Sequence, residues 1–351
     1  MANSAALDSA RIEVDLDPRR FNQKILEMGW GDGLPCIPPT EPLVLEYLAE
    51  TTRSPGDIVA ALPPSGADCT VEKIAINAVM AGAPPTAMPL LCAVVEAMAD
   101  AEFFLAGINA TTASVVPAVV VNGPIRHQLK IPFSYSCLGG MTSCAPSVGR
   151  ATRLILRHVA GQVAGVTSES VFGQPARVIG LVTGEWEERS PWAPLAERRG
   201  VPGDAVTVLG AMGTTNVVDT LQVSAQHLLH LIGGSAGYMG ANGLYLHNNT
   251  FSQFTVALNP SWAYIIGKEF PSMEEVRRIL WERASLPIDA FPPATREMIE
   301  RDERVQSDGR VHQVRSPDDI NVFVCGGEGA LHATLLPGFT SSLAVTRPIT
   351  G

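Results

Sequence analysis

The densest concentration of reactive side chains is Ser134-Tyr135-Ser136-Cys137-Leu138-Gly139-Gly140-Met141-Thr142-Ser143-Cys144-Ala145-Pro146-Ser147. It sets two thiols, several hydroxyls and two glycines just ahead of a segment with helical periodicity, Val148 to His158. The N–H groups at a helix start attract anions and lower the pKa of a nearby thiol. With Ser147 as the expected cap, Cys144 is the better-placed thiolate nucleophile. Cys137 is then its resolving partner, or the two share a soft metal. The metal reading is poor, because six residues separate the thiols, a zinc knuckle uses two to four, and no His is adjacent. The bland alternative is that both are buried small apolar residues, the usual fate of free cysteine.

Proton-transfer groups are sought next. Glu72 and Lys73 open a segment that is otherwise nearly all apolar. The helix start favours Glu72 and not Lys73, so a desolvated Lys73 is a candidate base or anion clamp, unless the first turn is simply exposed. Gly326-Gly327-Glu328-Gly329 follows an apolar run and can cradle an anion on backbone N–H groups, with His332 nearby as acid, base or ligand. Asn109, Thr111 and Thr112, then Asn122, then Thr214, Thr215 and Asn216 follow short apolar runs, where neutral donors can hold a substrate's oxygens or merely shape turns. Cys325 borders the glycine loop, Cys36 lies in a Gly/Pro-rich turn, and Cys69 and Cys92 read as core. His227 and His230 form a helical stripe, and His247-Asn248-Asn249 follows a glycine-rich run. His-Glu-x-x-His and Cys-x-x-Cys are both missing, which lowers the zincin and dithiol-motif classes.

These residues need a scaffold. Helices are expected over Phe21–Met28, Glu41–Ala49, Val71–Met80 with Thr70 or Asp68 as cap and Gly82 as stop, and Pro89–Met98. Further helices are expected at Leu221–Leu231, stopped by Gly233-Gly234, and from Ser272 to Ala284 with capping-box spacing to Glu275. Strands are expected at Phe103–Ala106, Val119–Val121, Ile179–Val182, Val206–Leu209, Phe254–Leu258 and Asn321–Val324. Alternating apolar runs and helices imply an α/β fold with mostly parallel sheets flanked by helices, probed for ligands beyond the strand ends. Residues 1–20 read as a polar arm, 21–190 as a first α/β lobe and 205–351 as a second, with the charged, Pro-rich 185–204 stretch between.

Composition narrows the class. With 351 residues, 46% hydrophobic and 17% charged, the chain can build a large core, and its sparse charge suggests a homo-oligomer. A net charge of −10 without a basic patch argues against nucleic acid. No run of about 18 apolar residues is uninterrupted, which argues against a membrane span. The first twenty residues lack a basic-then-apolar pattern, so with six cysteines the expectation is a cytoplasmic protein with free thiols.

Several blocks resemble an uncharacterised bacterial family found beside or fused to UGSC-type proteins, which carry a selenocysteine- or cysteine-Gly-Ser-Cys motif. They are Trp30-Gly31-Asp32-Gly33-Leu34-Pro35 with Pro38-Pro39-Thr40, the run Thr70–Gly82, Ala110-Thr111-Thr112 and Val121-Asn122-Gly123-Pro124. Gly149-Arg150-Ala151, Ser190-Pro191-Trp192 and the tail Thr346-Arg347-Pro348-Ile349 match as well. The resemblance implies thiol or selenol chemistry with a partner and no defined activity. Cys137 and Cys144 stand where such relatives are expected to carry a Gly/Asn-rich loop. The functional expectation is a small-molecule enzyme with a cysteine-assisted site, acting on a small polar or carboxylate substrate by lyase, hydrolase or thiol-redox chemistry and needing no cofactor. The alternatives are a non-catalytic accessory subunit for a UGSC-type protein, and a metalloenzyme using His332, Glu328 or the cysteines.

Overall fold

The computed structural model describes residues 7–15, 17–245, 252–329 and 331–351, so His247-Asn248-Asn249 lies outside the described residues. In chain order, α1 (Pro18–Glu27) and α2 (Glu41–Leu48) precede a hairpin of β1 (Ile58–Leu62) and β2 (Ala67–Thr70). Then α3 (Val71–Ala81), α4 (Met88–Ala99) and α5 (Leu105–Ala110) lead into β3 (Val116–Asn122). After α6 (Ile125–Gln128), α7 (Ala145–His158) and α8 (Ala176–Ile179) come β4 (Leu181–Gly184), α9 (Leu195–Arg198), β5 (Ala205–Ala211) and β6 (Thr215–Val218). Next are α10 (Ala225–Ala236), α11 (Asn242–Tyr245), β7 (Phe254–Leu258), α12 (Pro260–Glu269) and α13 (Met273–Arg283). The chain closes with β8 (Ser285–Pro287), α14 (Pro293–Arg301), β9 (Arg310–His312), β10 (Ile320–Val324), β11 (His332–Pro337) and β12 (Val345–Pro348).

The architecture is mixed α/β. One four-stranded sheet has the order β12-β5-β3-β4 and the other β10-β7-β11-β6. Only β3–β4 and β10–β7 pair in parallel; the other four pairings are antiparallel. The sheets are therefore mixed and not mostly parallel, and the physical reason is visible in β3. All seven of its residues are buried. Val119 and Val121 face the helical layer of α3, α4 and α7, whereas Val116, Ala118 and Val120 face Ala257, Phe323 and Leu336 of the other sheet. The second sheet does the same: Val256, Ile320 and Val322 meet α10, α12 and α13 on its far side. The result is helices, sheet, sheet, helices. A strand covered on both faces reads as a continuous apolar run whether the cover is helical or a second sheet, so the pattern could not reveal direction.

The two halves are interleaved as well. Strands β5 and β12 follow the 185–204 stretch, yet both complete the sheet that holds β3 and β4. Residues 21–190 therefore do not hold their own sheet, and the stretch between 185 and 204 is a built connection that carries α9 and a buried Glu185.

Local signals fared well where a cap or stop carried them. Thr70 accepts from the Lys73 N–H at 3.3 Å and Gly82 closes α3 with φ 72°. Elsewhere tertiary packing overrode them. Phe103–Ala106 is a turn running into α5 and not a strand. Gly233 lies inside α10, because a Cβ there would come within 2.6 Å of the Arg283 Cβ of α13, so it sets a close helix crossing and stops nothing. Ser272 caps α13 without a side-chain bond despite the Glu275 spacing.

Candidate functional site

The carboxyl ends of the parallel strands β3, β4 and β10 meet at one seam between the sheets. Glu185 continues β4 by donating its N–H to the Val121 carbonyl at 3.0 Å, and Trp186 donates to the Val324 carbonyl at 2.6 Å. Cys325 follows Val324 directly. The loop before α7 folds back so that Cys137 enters the same intersheet core, where both cysteines are buried. Positive φ at Ser136 (58°), Gly140 (64°) and Thr142 (61°) curls that loop, and Tyr135 lies across Gly327 so closely that a Cβ there would be 2.2 Å from its ring.

The two thiols are free and interact with each other. The neighbouring Cys325 thiol is the chief influence lowering Cys137 to about 7; burial opposes it, while Thr183 and the backbone of Gly326 and Leu138 add smaller lowering effects. The Cys137 sulfur beside it, with burial and the nearby Cys137 and Glu185 charges, drives Cys325 well up. A thiol of lowered pKa beside one of raised pKa is a pair whose chemistry can include attack by the first and resolution by the second.

A polar wall backs the thiols. Asn122 Nδ2 donates to Glu185 Oε2 at 2.7 Å and to Glu187 Oε1 at 2.9 Å. The Leu195 N–H adds a 2.7 Å bond to the same Glu185 oxygen. Glu185 is wholly buried, and burial pushes its carboxyl up. The Arg126 guanidinium bridges the Gly123 carbonyl at 2.8 Å, the Glu185 carbonyl, and the Glu187 and Glu188 carboxylates at 3.0 Å each. Its plane sits 5.3 Å from the Phe133 ring centroid, and Phe133 packs on Trp186.

Of the residues singled out from sequence, Cys137, Asn122, Gly326 and Gly327 come together here. Cys144 does not serve as expected. It is itself the N-cap of α7, its thiol donates to the Leu129 carbonyl at 3.0 Å, and burial raises its pKa. Glu328 lies at the rim in an ion pair with Arg189. His332 is exposed at the start of β11, where its carbonyl accepts from Asn259. Thr214, Thr215 and Asn216 are exposed on or beside the edge strand β6.

The others lie in the helical layer with structural partners. Glu72 accepts the N–H groups of Asp8 and Ser9 at 2.9 Å and ties down the N-terminal arm. Lys73 Nζ donates to the Asp68 carbonyl at 2.6 Å. Asn109 donates to the Pro63 carbonyl and accepts from Gln162. Thr111 closes a turn on the Ala113 N–H, and Thr112 is exposed while its carbonyl accepts from Val171. His227 faces Asp219 at 3.3 Å and His230 contacts Gln226, so the two do not share a site.

Three blocks of the resemblance, Trp30–Pro35, Thr70–Gly82 and Gly149–Ala151, meet in that same layer. Arg150 holds Asp32 with two bonds of 2.7 and 2.8 Å and adds the Pro35 and Leu34 carbonyls, while His158 bridges Asn77 and the Trp30 carbonyl. Their role is to fasten the Gly/Pro-rich turn to α3 and α7. Sequence reasoning missed Thr183, Glu185, Arg126 and the pairing of Cys137 with Cys325. One signal was available: Leu181-Val182-Thr183-Gly184-Glu185 is an apolar strand that ends in a carboxylate. Among the described residues no group of three or more His, Cys, Asp or Glu is arranged for a metal, and no helix is long and apolar enough to cross a membrane. Comparison of the chain with known protein families and with curated proteins finds no match to either.

Proposed function

We propose that this protein is a thiol-redox enzyme in which Cys137 is the attacking thiolate and Cys325 the resolving thiol, acting on a small disulfide-type or similarly electrophilic substrate. The observation that carries the reading is the burial of two free thiols, Cys137 and Cys325, in one intersheet cluster, with Cys137 lowered to about 7 chiefly by the neighbouring Cys325 thiol. Lyase and hydrolase chemistry are less well supported, because the neighbour of the nucleophile is a second thiol and, among the described residues, no imidazole stands beside it. Arg126, Asn122 and the glycine loop after Cys325 are the groups to orient a polar substrate. The resemblance extends the proposal to a UGSC-type partner that exchanges electrons with this dithiol. A homo-oligomer and a reducing, cytoplasmic setting belong to the same proposal. The test is turnover of low-molecular-weight disulfides by wild type, Cys137→Ser and Cys325→Ser. Loss in the first and arrest at a mixed disulfide in the second are expected; equal turnover in all three would refute it.

A further inference from the structure

We propose that Arg153 and Arg177 form a binding site for a small oxyanion, a phosphate or a carboxylate, and this inference does not depend on the thiol-redox reading above. Arg153 projects from the middle of α7, and Arg177 belongs to α8, which delivers the chain to the start of β4. The pair therefore lies at the amino end of that strand, away from the seam that holds the thiols.

Hydrogen bonds fix the two side chains beside each other. Arg153 Nε donates to the Arg177 carbonyl at 2.9 Å, and its Nη2 donates to Gln162 Oε1. Arg177 Nη2 donates to Ser168 Oγ at 2.7 Å. Gln162 and Ser168 flank one compact turn, in which the N–H groups of Thr167 and Ser168 both bond the Val163 carbonyl at 3.0 Å. Gln162 is held in place by donating to Asn109 Oδ1 at 2.8 Å.

Every acceptor in this arrangement is neutral: a carbonyl, an amide and a hydroxyl. Arg153 is only 7% exposed, and its Nη1 and that of Arg177 are both buried without a hydrogen-bond partner. Burial, and after it the Arg177 charge, pull Arg153 down to about 9, and burial lowers Arg177 as well. No carboxylate among the described residues bears on either one, and Glu169, next to Ser168, is exposed. A guanidinium keeps its proton in a protein, so the pair cannot shed charge as a buried lysine does. Burying one unpaired charge is expensive, and a second of the same sign beside it adds repulsion. An oxyanion relieves both costs, because its oxygens accept from the open donors and its charge offsets the cations. Arg177 reaches the surface, and the 162–168 turn that flanks both groups is no part of a helix or strand, so it is the part that yields to admit the anion.

The test measures the thermal unfolding midpoint of the full-length protein in chloride, inorganic phosphate and acetate at one ionic strength. Phosphate, acetate or both should raise the wild-type midpoint by about 2 °C or more over chloride. A rise in phosphate alone assigns a phosphate ligand, and one in acetate alone assigns a carboxylate. Arg177→Met should lose the rise, and in chloride it should unfold no lower than wild type, because it removes a repelling charge. General exclusion of phosphate from protein surface would stabilise both proteins alike, so a rise that survives in Arg177→Met overturns the site. Equal wild-type midpoints in all three salts overturn it too, as does an Arg177→Met midpoint well below wild type in chloride. Crystals grown with selenate need no variant: anomalous signal at the two guanidinium groups supports the site, and signal only elsewhere, or none, refutes it.

Discussion

Replacing Cys325 by Ala should abolish the low pKa of Cys137. The Cys325 S–H is the largest influence holding that thiol at about 7 against an ordinary value of 9.0, with burial pushing the other way. Without it, the remaining donors face the burial penalty alone, and the thiol should return to its ordinary value or above. A two-unit rise is about a hundredfold in ionisation constant and about 3 kcal/mol. At pH 7 the thiolate fraction then drops from about one half to about one hundredth. Thiolate ultraviolet absorbance, titrated in a Cys144→Ser background and corrected with Cys137→Ser, reads the midpoint directly. Cys325→Ser, whose hydroxyl still donates, should keep it low. A Cys325→Ala midpoint within about half a unit of wild type would refute the idea that a thiol–thiolate bond organises this site.

Other outcomes can be checked by denaturant unfolding. Burial raises the folded-state pKa of Glu185, so the stability tied to its protonated form is present at low pH and is lost as pH rises through that raised value. Glu185→Gln should flatten this limb, and a Gln variant with the wild-type pH slope would count against it. Asp32 behaves in the opposite sense. Burial lifts its carboxyl, but the Arg150 bonds outweigh burial and leave it below the ordinary range, so its contribution is lost as pH falls through that lowered pKa. Arg150→Met leaves Asp32 without its partner and should cost about 3 kcal/mol, since breaking a buried ion pair is expensive. A loss under about 1 kcal/mol would mean that the turn is not held by this pair. Gly233→Ala forces a methyl against Arg283 Cβ and the Leu280 carbonyl, 2.9 Å away, and should destabilise by about 1–3 kcal/mol. A stabilised variant, as expected for an ordinary helix glycine, would refute the close crossing.

The sequence by itself determined the α/β class, α3 with its Thr70 cap and Gly82 stop, and the cores of β3, β5, β7 and β10. Each of these is written in neighbouring residues: a side chain that can cap, a glycine that can adopt positive φ, an apolar run long enough for one strand. It also marked the loop of Cys137 and the turn of Asn122 as places of chemistry. Only the tertiary structure decided strand direction, because burial on both faces leaves the same trace whether helices or a second sheet supply it. Only it separated the surroundings of the two thiols. Cys144 stands nearer the helix, yet its sulfur is spent on a carbonyl, whereas Cys137 meets Cys325 from 188 positions along the chain, where two sheets pack face to face. Contact at that range depends on how the layers stack, and no local spacing encodes it.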